Sequence, residues 1–332
     1  MKIDFQHHQS AHCENGVASN LLIHNGINIS EPMVFGIGSG LFFIYLPFIK
    51  VNFAPGISYR PMPGIIFERA AKRLGIKIKR QKFSSPEKAR ETLDENIQKG
   101  IPSGLQVGVY GLTYFPDEYR FHFNAHNLVV FGKEGDNYLV SDPVMEMSTV
   151  LTEKELEKVR FAKGVFAPRG HIYYPVSFSD TINWEKAILK GIRQTCFLML
   201  GKAPIIGVNG IRYLAKRIRK WPDKVGVKTA NHYLAQVVRM QEEIGTGGGG
   251  FRFIYAAFLQ EASVMLKNET LKELSYEMTS IGDLWRDFAL NASRVYKNRS
   301  NQQDAYNSLA DELNHIADLE QVFFKKLKQA IR

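Results

Sequence analysis

The hydrophobic pattern of this chain changes period once, near residue 178, and that change sets what each half can build. Before it, short runs alternate apolar and polar residues in the strand manner, between amphipathic helical stretches. From Ser179 onward the spacing is helical, over 180–200, 210–220, 227–244, 251–267, 270–297 and 302–331. Pro222 and the run "GTGGGG" at 245–250 punctuate these helices. With 332 residues there is room for about two domains. The expectation is an α+β chain: a mixed domain over 1–178, then an all-α domain over 179–332.

The mixed half carries its own start and stop signals. "CENGVASNLLIHNG" places Val17, Leu21 and Leu22 on one helical face and stops at Gly26. Residues 60–75 read as a second helix. In "SSPEKARETLDENIQKG", Ser85 caps, Pro86 suits the first turn, Glu87 favours the positive dipole end and Gly100 terminates. "HNLVVFG" and "NYLVSDP" flank the turn "KEGD" as a hairpin, and "IPSGLQVGVYG" and "GHIYYPV" read as further strands. Thr152 caps another helix.

Bulk properties exclude several classes. A hydrophobic content of 45% rules out a disordered chain. The most apolar stretch, "VFGIGSGLFFIYLPFI" at 34–49, is too short to span a bilayer, so no membrane insertion is expected. The first twelve residues lack an apolar signal core, and two distant cysteines, Cys13 and Cys196, form no disulfide framework. These features predict a cytoplasmic protein. The net charge of +10 is uneven: 186–239 holds twelve basic residues and one acid, Asp223. Such a patch attracts something acidic or is a solvated helix face.

Cys13 has three readings. It is a small buried hydrophobe, a metal ligand with nearby histidines, or a nucleophile. No CxxC or HExxH spacing supports metal, and none is expected. The nucleophile has specific support, because a helix start favours a thiolate. A base and its orienting group then lie in one hairpin: His126 opens one strand and Asp142 closes the next. In an antiparallel pair these ends are neighbours. Cys13, His126 and Asp142 are therefore the expected catalytic set.

At these residues the chain resembles known families. A helix-start cysteine followed by "KGIPSGLQV" and "HNLVVFG…NYLVSDP" resembles the papain-like peptidases that process bacteriocin leader peptides. "HCENGVASNLL", "SEPMVFGIGSGLFFIY", "HNLVVFG" and "GTGGGGFRFIYAAFLQEA" are similar to the BtrH family of butirosin biosynthesis, with its helical carboxy-terminal domain. That resemblance implies an acyltransferase with a papain-like amino-terminal domain. It would move an acyl group from the phosphopantetheine thioester of an acyl carrier protein to a small amine, with no cofactor of its own. Cys13 would be acylated, His126 would act as base then acid, and Asp142 would orient His126. The papain-like oxyanion glutamine falls at His7 here, which leaves Gln9 with the Cys13 N–H as the expected donor. The partner is then an acidic carrier rather than nucleic acid, docking on the face shared by Arg212, Lys216 and Arg219.

Two glycine runs remain. "GIGSG" lacks the Lys-Ser/Thr of a P-loop, so Gly36, Gly38 and Gly40 are read as a close approach to an acyl chain or as a tight turn. "GTGGGGFR" is read as a cradle for an anionic group ahead of Arg252, or as a hinge. Two other functions stay open: a cysteine amidase or peptidase with the same triad, and a non-catalytic scaffold for an acidic partner.

Overall fold

The computed structural model describes residues 1–297 and 302–331. The first half runs α1 (Cys13–His24), α2 (Glu31–Ile37), β1 (Ile44–Val51), β2 (Ala54–Ser58), α3 (Ile65–Leu74), β3 (Lys77–Gln81), α4 (Pro86–Gln98) and β4 (Ser103–Val107). It continues with β5 (His126–Glu134), β6 (Asn137–Ser141), β7 (Thr149–Thr152), α5 (Glu153–Arg160) and β8 (Ile172–Ser177). The helices α6 (Trp184–Met199), α7 (Gly207–Ile218), α8 (Trp221–Val225), α9 (Val227–Val238), α10 (Arg252–Leu266), α11 (Glu269–Tyr296) and α12 (Gln302–Ala330) follow. The α+β class, with a helical carboxy-terminal region, is as expected.

The chain divides into two compact units: Met1–Val34 with Pro63–Ile182, and Phe35–Met62 with Asn183–Arg332. The expected cut at 178 therefore needs a correction, because Phe35–Met62 packs with the later helices. Packing explains it. Phe35 stacks on Phe251 with centroids 5.2 Å apart, and Phe43 lies 6.1 Å from Trp285. The unexpected hairpin β1–β2 sits in this segment; its Gly- and Pro-laden run lacks the alternation that marks a strand. Residues 298–301 and 332 of the expected helical domain lie outside the described residues.

In the first unit an antiparallel sheet runs in the order β3-β8-β4-β5-β6-β7. Local chemistry sets its connections. Ser85 caps α4 with Pro86 in the first turn, and Thr152 and Glu155 close a capping box on α5. Gly135, at φ +58°, makes the left-handed turn between β5 and β6. Leu93, Ile97, Leu156 and Val159 from α4 and α5 cover one sheet face, packing with Leu105, Leu128, Val130 and Ile172. Strand alternation turns Asn127 and Tyr173 to the other face, where α1 lies. A cysteine-bearing helix thus lies on an antiparallel sheet.

Candidate active site

Cys13 opens α1, and its neighbours explain why the helix begins there. His12 is the N-cap, its Nδ1 accepting the Asn15 N–H at 3.4 Å. The N–H groups of Ala11 and His12 donate to the Glu31 carboxylate at 2.9 and 2.7 Å. Gly16 lets the loop after β6 close on the first turn, since a Cβ there would lie 2.6 Å from both Pro143 and Ser10. Ser10 N–H donates to Pro143 O at 2.6 Å, which seats Asp142 beside the helix start. Cys13 is buried, and its backbone N–H has no acceptor within the helix.

His126 and Asp142 meet as their strand ends suggested. The register pairs Val129 with Ser141, so Asp142 lies diagonally from His126. Nε2 of His126 is 2.6 Å from Asp142 Oδ2, and both side chains are buried. The carboxylate only accepts, so Nε2 carries the proton and Nδ1 is the nitrogen left for sulfur. Burial works to lower the His126 pKa, but the charges of Asp142 and Cys13, and hydrogen bonds to both, raise it to about 10. The protonated ring is thus favoured. Phe115 packs edge-on against it at 5.6 Å.

Tyr114, which the sequence did not flag, donates its hydroxyl to the same Asp142 Oδ2 at 2.7 Å. Burial and then the Asp142 charge hold its pKa well above the usual phenol value, so it remains a donor. Asn127 was also missed. Its Nδ2 faces Cys13 Sγ at 3.9 Å and donates to Ala125 O at 3.1 Å, while Oδ1 accepts the Tyr173 hydroxyl at 2.8 Å. Strand parity was the available signal: beside a strand histidine, the next residue faces the other layer.

The other expected site residues are each placed by their own surroundings. Gln9 is exposed and no hydrogen bond holds its amide; His7 binds Ser141 Oγ at 2.8 Å and Met145 O at 3.1 Å, which uses both ring nitrogens. Gly36, Gly38 and Gly40 are buried in the second unit. A Cβ on Gly36 would meet the Phe258 ring at 2.0 Å, and one on Gly40 the Phe35 ring at 2.2 Å, so both serve close packing. Arg252 cannot receive an external anion. It is fully buried in the second unit, with Nε 2.9 Å and Nη2 3.1 Å from the Glu320 carboxylate and Nη1 2.8 Å from Gly250 O. The glycine-loop N–H groups of Gly248 and Gly249 already bind Thr246 Oγ1 and Glu242 Oε1.

The basic face of α7 is likewise answered from within. Arg212 donates to Asp318 at 2.6 Å and Gln321 at 2.7 Å, and Arg219 to Asp311 at 2.5 Å, all on α12. Only Lys216 of the expected docking trio is exposed without a hydrogen bond. His122 is exposed and stacks on Tyr110 at 4.3 Å. Among the described residues no group of three His, Cys, Asp or Glu side chains is placed to hold a metal ion.

No curated protein matches the chain. A crystal structure described as that of a C39-like peptidase from Bacillus anthracis superposes at a TM-score of 0.38 and 15% identity. It covers 54% of this chain and 100% of that one, a likeness too slight to argue from. The model "Butirosin biosynthesis protein H, N-terminal" matches residues 12–143, which contain Cys13, His126 and Asp142. "Domain of unknown function (DUF4872)" matches 154–327. The chain belongs to the DUF4872 family, and its amino-terminal part is similar to the amino-terminal domain of butirosin biosynthesis protein H.

Proposed function

We propose that the protein is a cysteine acyltransferase. It takes an acyl group from the phosphopantetheine thioester of an acidic acyl carrier protein and passes it to a small amine. The observation that carries this reading is the 2.6 Å bond that His126 Nε2 donates to Asp142 Oδ2, beside the helix that Cys13 opens. That bond fixes the tautomer and aims the other nitrogen at the sulfur. The BtrH-type likeness of the amino-terminal part supports acyl transfer over a non-catalytic scaffold.

The steps follow from the residues. Cys13 sulfur attacks the thioester carbonyl, and the new S–C bond forms as the carbonyl electrons move to oxygen. Collapse expels the carrier thiol, which takes its proton from His126. An amine then attacks acyl-Cys13, gives a proton to His126 and releases Cys13. Phosphopantetheine enters and leaves as part of the substrate. The carrier meets the protein at a basic surface, where the docking role suggested for Arg212, Lys216 and Arg219 contracts to Lys216.

Incubation with an acyl-carrier thioester and an amine tests the reading. Digestion and mass spectrometry should find the acyl group on Cys13, and the product should be an N-acyl amine. Cys13→Ala should abolish both. Free acid as the main product would favour an amidase or peptidase, and full activity in Cys13→Ala would remove the nucleophile.

A further inference from the structure

The side-chain donor that a cysteine acyl transfer needs is vacant at the expected positions. His7 has both ring nitrogens committed, and the Gln9 amide is exposed and unheld. A polar side chain already faces the sulfur from another direction. Asn127 Nδ2 lies 3.9 Å from Cys13 Sγ, and its residue is only 6% exposed. Its orientation is not a free choice. The Ala125 carbonyl, 3.1 Å away, can only accept, so the atom beside it must be nitrogen. Oδ1 is held from the other end by the Tyr173 hydroxyl at 2.8 Å.

Tyr173 reaches Asn127 by crossing a strand. It stands on β8, Asn127 on β5, and β4 runs between them with Gly104 paired to Tyr173. A Cβ at Gly104 would lie 2.4 Å from the Tyr173 ring. The glycine leaves the space through which the hydroxyl arrives. Burial keeps that hydroxyl protonated, with its pKa raised well above the usual phenol value.

We infer that Asn127 is the side-chain oxyanion donor at Cys13, and that Tyr173 is the positioning residue that holds it. This rests on Cys13 being the nucleophile. At 3.9 Å the N–H is long for a bond to resting sulfur. When Sγ bonds to the carbonyl carbon, negative charge develops on an oxygen one atom further out, within reach of a donor already aimed there. A donor fixed before the reaction and shielded from water needs no reorganisation as that charge appears. Collapse returns the electrons to the carbonyl, expels the leaving group with a proton from His126, and frees the amide.

Two reactions of the full-length chain separate this role from others. Iodoacetamide alkylates Cys13 by displacement at a saturated carbon, with no oxyanion. S-acetyl-N-acetylcysteamine acylates it through a tetrahedral oxyanion. Both adducts are quantified on the Cys13 peptide by mass spectrometry, which keeps Cys196 apart. Asn127→Ala should slow acylation roughly 10²- to 10³-fold while alkylation stays within about twofold. Asn127→Asp keeps the shape but presents no donor, so it should lose at least as much. Tyr173→Phe and Gly104→Ala should each slow acylation by a smaller factor and spare alkylation. If acylation and alkylation fall together, or acylation does not fall in either Asn127 variant, Asn127 is not the donor. Absence of any acetyl-Cys13 in the wild-type chain would remove the nucleophile reading itself, a separate failure.

Discussion

His126 and Asp142 are 2.6 Å apart, and neither is more than 5% exposed. A pair this dry couples chemistry to stability, because removing one member strands the other away from water. His126→Ala should lose turnover roughly 10²- to 10⁴-fold. It should also lose about 3–5 kcal/mol of stability, since the Asp142 carboxylate remains buried. Adding Asp142→Asn to His126→Ala should restore part of the stability and none of the turnover. Urea melts and steady-state rates on the two singles and the double check this. Additive stability losses would count against the coupling.

The same pair sets a pH dependence. Its proton is held up to about pH 10, against an ordinary histidine value of 6.5, despite the lowering effect of burial. The folded state binds that proton more tightly than the unfolded chain. Its contribution is complete below 6.5 and is lost as pH rises toward 10. Asp142→Asn should flatten this limb of the stability curve. His171 acts in the opposite sense, because burial, then Lys82 and Arg80, lower it to about 4. Its neutral form supports folding above 6.5, and that support is lost as pH falls toward 4. Denaturation at stepped pH reads both limbs. A difference between wild type and Asp142→Asn that stays constant from 6.5 to 10 would contradict the first.

Tyr114→Phe removes one of two donors to Asp142 Oδ2. A hydrogen bond to a charged group contributes about 1.5–3 kcal/mol, so a stability loss of that order is expected. Turnover should fall less than in His126→Ala, because the His126 bond survives. A loss of turnover as large as that of His126→Ala would mean that Tyr114 acts on the substrate directly.

Gly16→Ala would ordinarily stabilise a helix by about 1 kcal/mol. Here the added methyl meets Pro143 and Ser10 at 2.6 Å, and the loop that carries Asp142 must move. Both thermal midpoint and turnover should fall. A stabilised, fully active Gly16→Ala would show that the loop yields without cost.

On α7, Lys216→Glu and Arg219→Glu should part company. Lys216 is exposed and unbonded, so its reversal should raise KM for a carrier-borne donor and spare a small free thioester. Arg219 is engaged with Asp311, so its reversal should cost stability by up to about 1 kcal/mol. Equal KM effects from both would point to a diffuse field instead of a docking residue.

How far the sequence could be read depended on how local each contact is. His126 and Asp142 were legible because a hairpin brings strand ends together by rule, and α4 and α5 announced themselves through Ser85 and Thr152. Tyr114 lies 28 residues before Asp142 in irregular chain, where no periodicity predicts an approach. Tyr173 reaches Asn127 only because β8 and β4 pair in one register over Gly104. Arg252 was misread for a related reason: beside a glycine run it looks like an anion site, but its partner Glu320 is 68 residues further on, inside α12. Gly36 and Gly40 looked available to a ligand until the rings of Phe258 and Phe35 took that space.

The segment Phe35–Met62 leaves the ribosome long before the helices it packs against. Its rings wait for Phe251 and Trp285 through most of synthesis, at about 5–20 residues per second. Meanwhile the sheet that carries His126 is complete once β8 has emerged, so the nascent chain holds a finished sheet interrupted by an uncovered apolar insert. A fragment ending at 178 keeps Phe35 and Phe43 without those partners, and aggregation during expression is its expected fate.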